Sequence, residues 1–381
     1  MGNLFFVNPL DDTVYRRRRR PRPEEGTDPR GAYFRDATAI IHSYPFRRLK
    51  HKTQVFFIPE NDHICTRIEH VMHVATIAAT ICRALGLDSD LAWAIGVGHD
   101  LGHAPFGHLG EEILASYMPR GRTFHHELYS LRVVDLLAGY GQGLNLTYAV
   151  REGIALHCGE RFEREIVPDR EERVLEDLEG VEGYPSTWEG CVVRMSDRIA
   201  YVGRDLEDAL QLRIMRREDI PERAVQILGS TNSEIINTLV RDLISYSLDH
   251  GGIGFSEPVY EAFMALLDFN YRAIYRSPRL TSFHEYFERI LKTLHDYLSE
   301  LFERYGWEVG RYAREHNRLA RQFGDFVGKM STVYQERSEE DWVVFDYIAG
   351  MTDEFALRSA MEVMMPRRFS LLFEDVIEEE E

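Results

Sequence analysis

Apolar residues recur every three or four positions along most of the chain, and from about residue 31 this helical period dominates the pattern. Over 66–85 the stripe runs through Ile68, Val71, Val74, Ala75, Ala78, Ile81, Cys82 and Leu85. Gly86 fits the left-handed position that closes such a helix. Asp88 or Ser89 supplies a side-chain cap for a second helix over 90–99. The same period predicts helices over 126–137, 147–156, 192–210, 235–247, 257–274, 283–304, 310–323 and 341–365. Strand signals are few: 54–58 is the best and 174–175 a weak second. The stretch 160–183 is charged and irregular, as an insertion between helices is. The expected class is all-α, a bundle of roughly fifteen helices with at most a short β-hairpin. A main core over 31–270 would carry a C-terminal helical extension, 271–381, packed against it.

Composition narrows the class. The chain has 381 residues, 44% of them hydrophobic and 12% aromatic, enough to bury a sizeable core. No apolar run approaches the roughly 18 residues of a membrane span. Asn3, Asp11 and Asp12 interrupt the only apolar patch near the start, so no signal peptide is expected. Phe6 stands where a myristoylation signal needs Ser or Thr. Cys65, Cys82, Cys158 and Cys191 are scattered without CxxC spacing, which points to free thiols in a reducing, cytoplasmic setting.

A net charge of −18 argues against a surface that coats nucleic acid. The exception is the run Arg16 to Arg20, with Arg22 behind it. It lies in a polar, Pro/Gly-rich segment, 1–30, expected to be a disordered, mobile arm. Such a run is either a solvated tail or a site for single-stranded nucleic acid or an acidic partner. The acidic end, Glu378 to Glu381, is expected to fray.

The chemistry concentrates in the string HDLGHAPFGHLGE at 99–111. Neighbouring side chains on a helix diverge by about 100°, so His99 and Asp100 can share one cation only where the backbone leaves regular helix. Gly102, Pro105 and Gly107 supply that irregularity just downstream. His70 lies on the preceding predicted helix. Asp197 sits between Val192, Val193 and Ile199, Val202 in an apolar stripe, where an isolated carboxylate is costly unless paired or metal-bound. His70, His99, Asp100 and Asp197 therefore form a candidate metal set of two nitrogens and two oxygens from three helices. A mixed set of this kind suits one divalent ion per site, Mn, Fe, Zn, Ni, Co or Mg, without choosing among them. His73, one turn from His70, is read as a packing histidine, because one metal already has its ligands.

The order His70, His99-Asp100, Asp197 resembles the H…HD…D pattern of HD-domain phosphohydrolases. Five strings narrow the resemblance to the dGTPase-like dNTP triphosphohydrolases: IHSYPFRRLKHKTQVF at 41–56, the 99–111 string, FHHELYSLRVV at 124–134, DRIAYVGRDLEDA at 197–209 and DYIAGMTD at 346–353. It spans about residues 30–365. It implies an HD-domain helical bundle that hydrolyses a deoxynucleoside triphosphate, dGTP among others, to deoxynucleoside and inorganic triphosphate. Water attacks the α-phosphate with the help of a metal ion, with room for an additional Mg on the triphosphate. It also implies a homo-oligomer, dimer to hexamer, and a dNTP as allosteric activator.

On this resemblance His108 and Glu111 match an acid/base pair beside the α-phosphate, Glu111 orienting His108 from the first turn of a helix starting near Leu109. His126 matches a histidine near the leaving group, with His125 competing for the role. His103, four residues after His99, lines the phosphate side or serves the structure. Gln54 and Asp205 match groups at the sugar 3′-hydroxyl, Tyr201 a ring that packs on deoxyribose and leaves no space for a 2′-hydroxyl, and Arg67 a phosphate-binding arginine. The plain alternatives are a core aromatic for Tyr201 and surface ion-pair partners for Asp205 and Arg67. Arg47, Arg48, Lys50 and Lys52 form either a solvated face or a basic patch near the site and subunit contacts. The chain departs from the family at Arg204-Asp205, where His-Asp is common, and at His126-Glu127, where His-Asn is common. The competing readings are a dNTP-sensing or nucleic-acid-binding protein with a structural metal, and another HD phosphohydrolase such as a nucleotidase or phosphodiesterase.

Overall fold

A computed structural model of the chain describes residues 6–57, 61, 63–159, 162–315 and 317–365. Helices dominate it, and the only sheet among these residues has two strands, Glu165–Ile166 and Ile253–Gly254, paired antiparallel in the register Glu165 with Gly254 and Ile166 with Ile253. These strands come from distant parts of the chain, so the expected hairpin is a long-range pairing instead. Residues 54–57 form bends, not a strand, while Ile58 lies outside the described residues. The second expected strand is absent too: Leu175–Asp177 is a turn of 3-10 helix.

Three helices build the centre. Helix Arg67–Leu85 opens on a capping box in which Glu69 accepts from the Thr66 backbone N–H at 2.7 Å, and it closes on Gly86 at φ 75°. Asp88 caps the next helix, Ser89–Gly98, by accepting from the N–H groups of Asp90 and Leu91. The 24-residue helix Trp188–Gln211 packs against both. A single hydrophobic core runs from these helices into the C-terminal ones. There helix His284–Tyr305 lies against Gly107–Ala115, Val343–Ala349 and Asp353–Met364.

Several boundaries shift for local reasons. The helix expected over 310–323 is Arg318–Arg337, started by the Asn317 side chain, which accepts from Ala320 N–H at 2.7 Å. The one expected over 341–365 breaks into Val343–Ala349 and Asp353–Met364 at the Gly350-Met351-Thr352 link, where Thr352 caps the second half.

The expected mobile arm is corrected from Phe6 onward. Tyr15 is buried, and its hydroxyl donates to Ser186 O at 2.8 Å. Arg18 is buried with Asp36 in a 2.5 Å ion pair, and the second Asp36 oxygen accepts from Thr147 N–H and Oγ1. Arg16, Arg17 and Arg19 reach Asp12, Glu172 and Asp135 at 2.8, 2.5 and 3.6 Å. The run therefore neutralises carboxylates of its own chain, which local sequence could not reveal because the partners are up to 155 positions away. The acidic end, 366–381, lies outside the described residues. No helix among the described residues is long and apolar enough to cross a membrane. All four cysteines are free thiols.

Candidate active site

His70 lies one turn into helix Arg67–Leu85, Asp197 in the middle of Trp188–Gln211, and His99-Asp100 just where Ser89–Gly98 ends. The packing of these helices brings the three carriers to one point. His70 Nε2 stands 2.9 Å from Asp197 Oδ1, and His99 Nε2 stands 3.8 Å from that same oxygen. Asp100 sits beside them, its Oδ1 3.5 Å from His99 Nε2 and its Oδ2 3.8 Å from His70 Nε2.

The donors suit a divalent cation. His99 Nδ1 lies 2.7 Å from Gly96 O, a carbonyl that only accepts, so the ring proton is on Nδ1 and the Nε2 lone pair faces the cluster. That Nε2 is buried and has no hydrogen-bond partner. Burial pushes the His99 imidazole down to about 4, so it is neutral at pH 7, the form a metal needs. Burial disfavours the Asp197 charge, but the hydrogen bond from His70 together with the charges of His70, His99 and His157 outweighs it and holds the carboxyl below its usual range. His70, His99 and Asp197 form one potential ligand group, and His99, Asp100 and His157 form an overlapping one. His157 carries no signal in the sequence: it follows a helix as His99 does, but without companion histidines or an adjoining carboxylate.

Downstream, the chain turns sharply before helix Gly107–Ala115. At Gly102 a Cβ would meet Ser130 N at 2.2 Å, and at Gly110 one would meet Pro105 O at 1.8 Å, so both positions must lack a side chain. Phe106 takes the left-handed conformation at φ 67° and stacks on Phe287 at 4.2 Å. Its N–H is held at 3.0 Å by Asp353 Oδ1, while Asp353 Oδ2 accepts from Thr53 N–H at 2.9 Å. The final residue of DYIAGMTD thus ties this turn to the Gln54 segment. Lys52 donates to His103 O and, at 3.2 Å, to Ala349 O. Arg48 donates to Gly350 O. Half of the basic cluster is therefore committed to backbone carbonyls, while Arg47 and Lys50 are exposed.

Glu111 is a hub. Its carboxylate lies against His103 Nδ1 and reaches His108 Nδ1 at 3.4 Å and His126 Nδ1 at 3.5 Å. His103 Nε2 is 3.1 Å from Asp100 Oδ1, so the hub is wired to the metal cluster. His103 and His126 stack with ring centroids 3.9 Å apart. His108 remains open to solvent, 74% exposed. Burial alone would lower the His126 pKa, but the carboxylates of Glu127 and Glu111 outweigh it and raise it to about 10. Burial, aided by Arg67, pushes His103 down to about 4. The stacked pair is thus one neutral and one charged imidazole. His125 instead lines a cavity of about 530 Å³ with Arg120, Arg122 and Arg132, away from Glu111. A cavity of about 540 Å³ over Arg48 and Lys52 likewise flanks the cluster without including its ligands.

Arg67 is buried rather than a surface partner. It donates to Asp100 Oδ2 at 2.6 Å, to Thr53 O at 3.2 Å and to Gln54 O at 3.4 Å. Gln54 Oε1 is buried without a partner. Asp205 is also buried, and burial raises its pKa to about 7 although it accepts from the Tyr275 hydroxyl. Tyr275 carried no signal in the sequence, since it stands just beyond the helix expected over 257–274. Tyr201 is partly buried, on the same helix as Asp197 and Asp205.

Residues 67–201 match the HD domain, and 253–362 match the phosphohydrolase-associated domain. A deoxyguanosinetriphosphate triphosphohydrolase-like protein of Caldanaerobacter subterraneus subsp. tengcongensis is 40% identical, covering 92% of this chain and 89% of its own. Proteins of the same description from Desulfatibacillum aliphaticivorans (37% identical, 95% and 96% covered) and Clostridium perfringens strain SM101 (35%, 91% and 91%) are similar throughout. The chain is thus a phosphohydrolase that belongs to the HD-domain, deoxyguanosinetriphosphate triphosphohydrolase-like family.

Proposed function

We propose that the protein hydrolyses deoxynucleoside triphosphates to deoxynucleoside and inorganic triphosphate. The observation that carries this is the junction of two clusters: a His70/His99/Asp197 group suited to a cation, joined through Asp100 and His103 to a Glu111 hub with three histidines. A divalent ion held by His70, His99, Asp100 and Asp197 would supply Lewis-acid polarisation of an α-phosphate oxygen.

The residues divide the remaining work. His126, charged at neutral pH, holds a proton beside the leaving-group side. His108, the least tied of the three histidines, delivers a proton to the departing 5′-oxygen, with Glu111 linking the two. His103 stays neutral and passes the orientation of Asp100 on to Glu111. Gln54 Oε1 and Asp205 have the acceptor capacity to read a sugar 3′-hydroxyl, and Tyr201, one turn before Asp205 on the same helix, would exclude a 2′-hydroxyl. Polar readout of this kind discriminates more strongly than an apolar slot. The guanidinium of Arg67 is already spent on Asp100 and two carbonyls, so it acts first as a positioning group for the cation side and the Gln54 segment.

Tripolyphosphate released from at least one dNTP in the presence of Mn²⁺, with its deoxynucleoside, is the expected product. Pyrophosphate or orthophosphate alone would assign the site to a different HD phosphohydrolase. His108→Ala should lower turnover by roughly 10²–10⁴-fold with metal content and folding intact; unchanged turnover removes the acid assignment. A nucleic-acid-binding function loses its main motivation with the internal pairing of Arg16 to Arg19.

Glu127, where relatives commonly carry Asn, has its own expected effect. It lies 3.5 Å from His126 Nδ1 and helps raise that group. A raised histidine keeps its proton up to its own pKa, so activity that needs charged His126 falls only as pH rises towards about 10. Glu127→Gln should move this alkaline limb about one pH unit towards neutrality while turnover at pH 7 changes little. A pH–rate profile with an unmoved limb would separate His126 from the rate-determining proton.

A further inference from the structure

We infer that His157 is a fifth protein ligand of the cation, beyond the H…HD…D set. The inference rests on the metal reading above and extends it to a residue that no motif of this chain marks.

His157 repeats the construction of His99. Each follows the end of a helix, Tyr148–Ala155 for His157 and Ser89–Gly98 for His99. Each ring places Nδ1 2.7 Å from the carbonyl three residues earlier, Ile154 O and Gly96 O. A carbonyl only accepts, so Nδ1 carries the proton in both rings and Nε2 is left with a lone pair. Both Nε2 atoms are buried without a hydrogen-bond partner. His157 is 1% exposed, so water does not satisfy it from outside. A buried acceptor with no donor is costly, and a cation would remove that cost.

Packing then brings the two rings together. A Cβ at Gly153 would meet Ile95 Cδ1 at 2.4 Å, and one at Gly98 would meet Ile154 Cδ1 at 2.7 Å. The two helices are pressed together at both glycines, and their ends are held side by side. The His99 and His157 rings stand 4.7 Å apart at 70°, and a nitrogen of each ring and an Asp100 oxygen lie within 4.8 Å of one another. Donors at about 2.1 Å from one ion lie at most about 4.2 Å apart, so these three need close by only a few tenths of an ångström to share an ion, the one that His99 and Asp100 would also share with His70 and Asp197.

The test uses the full chain loaded with Co²⁺, comparing wild type, His157→Ala, His157→Gln and His99→Ala. Affinity is read by competition with a chelator, and coordination by the visible d–d absorption. The expected result is at least about a hundredfold weaker Co²⁺ binding in both His157 variants, with a changed band shape and intensity. His157→Gln conserves bulk, so it reads the same quantity should the alanine variant fold poorly. An unaltered Co²⁺ spectrum in the His157 variants, whatever their affinity, overturns direct ligation; if His99→Ala abolishes binding at the same time, the four-ligand site stands. Wild-type protein that binds no Co²⁺ overturns both.

Discussion

Asp197→Asn is expected to strip the protein of its cation and to lower dNTP turnover by about a thousandfold or more, some 4 kcal/mol of barrier. Asp197 Oδ1 stands 2.9 Å from His70 Nε2 and 3.8 Å from His99 Nε2, so it lies where the imidazoles point. Asparagine keeps the shape but removes the charge that balances a divalent ion, and its neutral oxygen is a far weaker donor. The fold should survive. Asp197 caps no helix, and the apolar stripe around it, Val192, Val193, Ile199 and Val202, is untouched. Metal analysis, far-UV circular dichroism and turnover on one preparation check this. An Asp197→Asn protein that keeps one tightly held metal per chain and wild-type turnover would falsify the assignment of the site.

The second large effect falls on stability. Asp346→Ala should destabilise the fold by about 3 kcal/mol, measured by urea unfolding. Asp346 is buried, and its oxygens accept from Arg132 at 3.0 and 2.8 Å, from the Tyr129 hydroxyl at 2.9 Å and from the Tyr334 hydroxyl at 2.8 Å. Removal leaves two hydroxyls and a guanidinium without their acceptor. Arg132 retains Glu339 at 2.9 Å and the face of Trp342 at 4.0 Å, which keeps the cost at the lower end for a broken buried pair. Because Tyr129 and Arg132 belong to helix His126–Arg132, which carries His126, activity should fall at denaturant concentrations below the wild-type midpoint. A midpoint within error of wild type would show that the DYIAGMTD segment is not what joins the C-terminal helices to the core.

Much of the fold was legible where the signal is local. The helix over 66–85 and its glycine stop, and the Asp88-capped helix that follows, stand as read, because spacing and caps lie within one turn of each other. The strand expected over 54–58 failed because that segment answers to distant groups: Asp353 holds Thr53 N–H, and Arg67 takes the carbonyls of Thr53 and Gln54. The arginine run misled for the same reason. Its charge is plain in the sequence, but the carboxylates that bury Arg18 and engage Arg17 are not beside it.

The sequence by itself determined the class of the fold, the family, and the residues of the H…HD…D set, since helical period and a dense histidine string survive without knowledge of contacts. Only the tertiary structure decided that His126 rather than His125 meets Glu111, and that Glu111 serves three histidines. It also decided that Arg67 spends its donors on Asp100 and backbone, and that His157 aims an unpartnered nitrogen at the cluster. The reason is physical. Periodicity and capping act over a few residues, whereas the direction of a buried side chain is fixed by whichever remote helix closes over it.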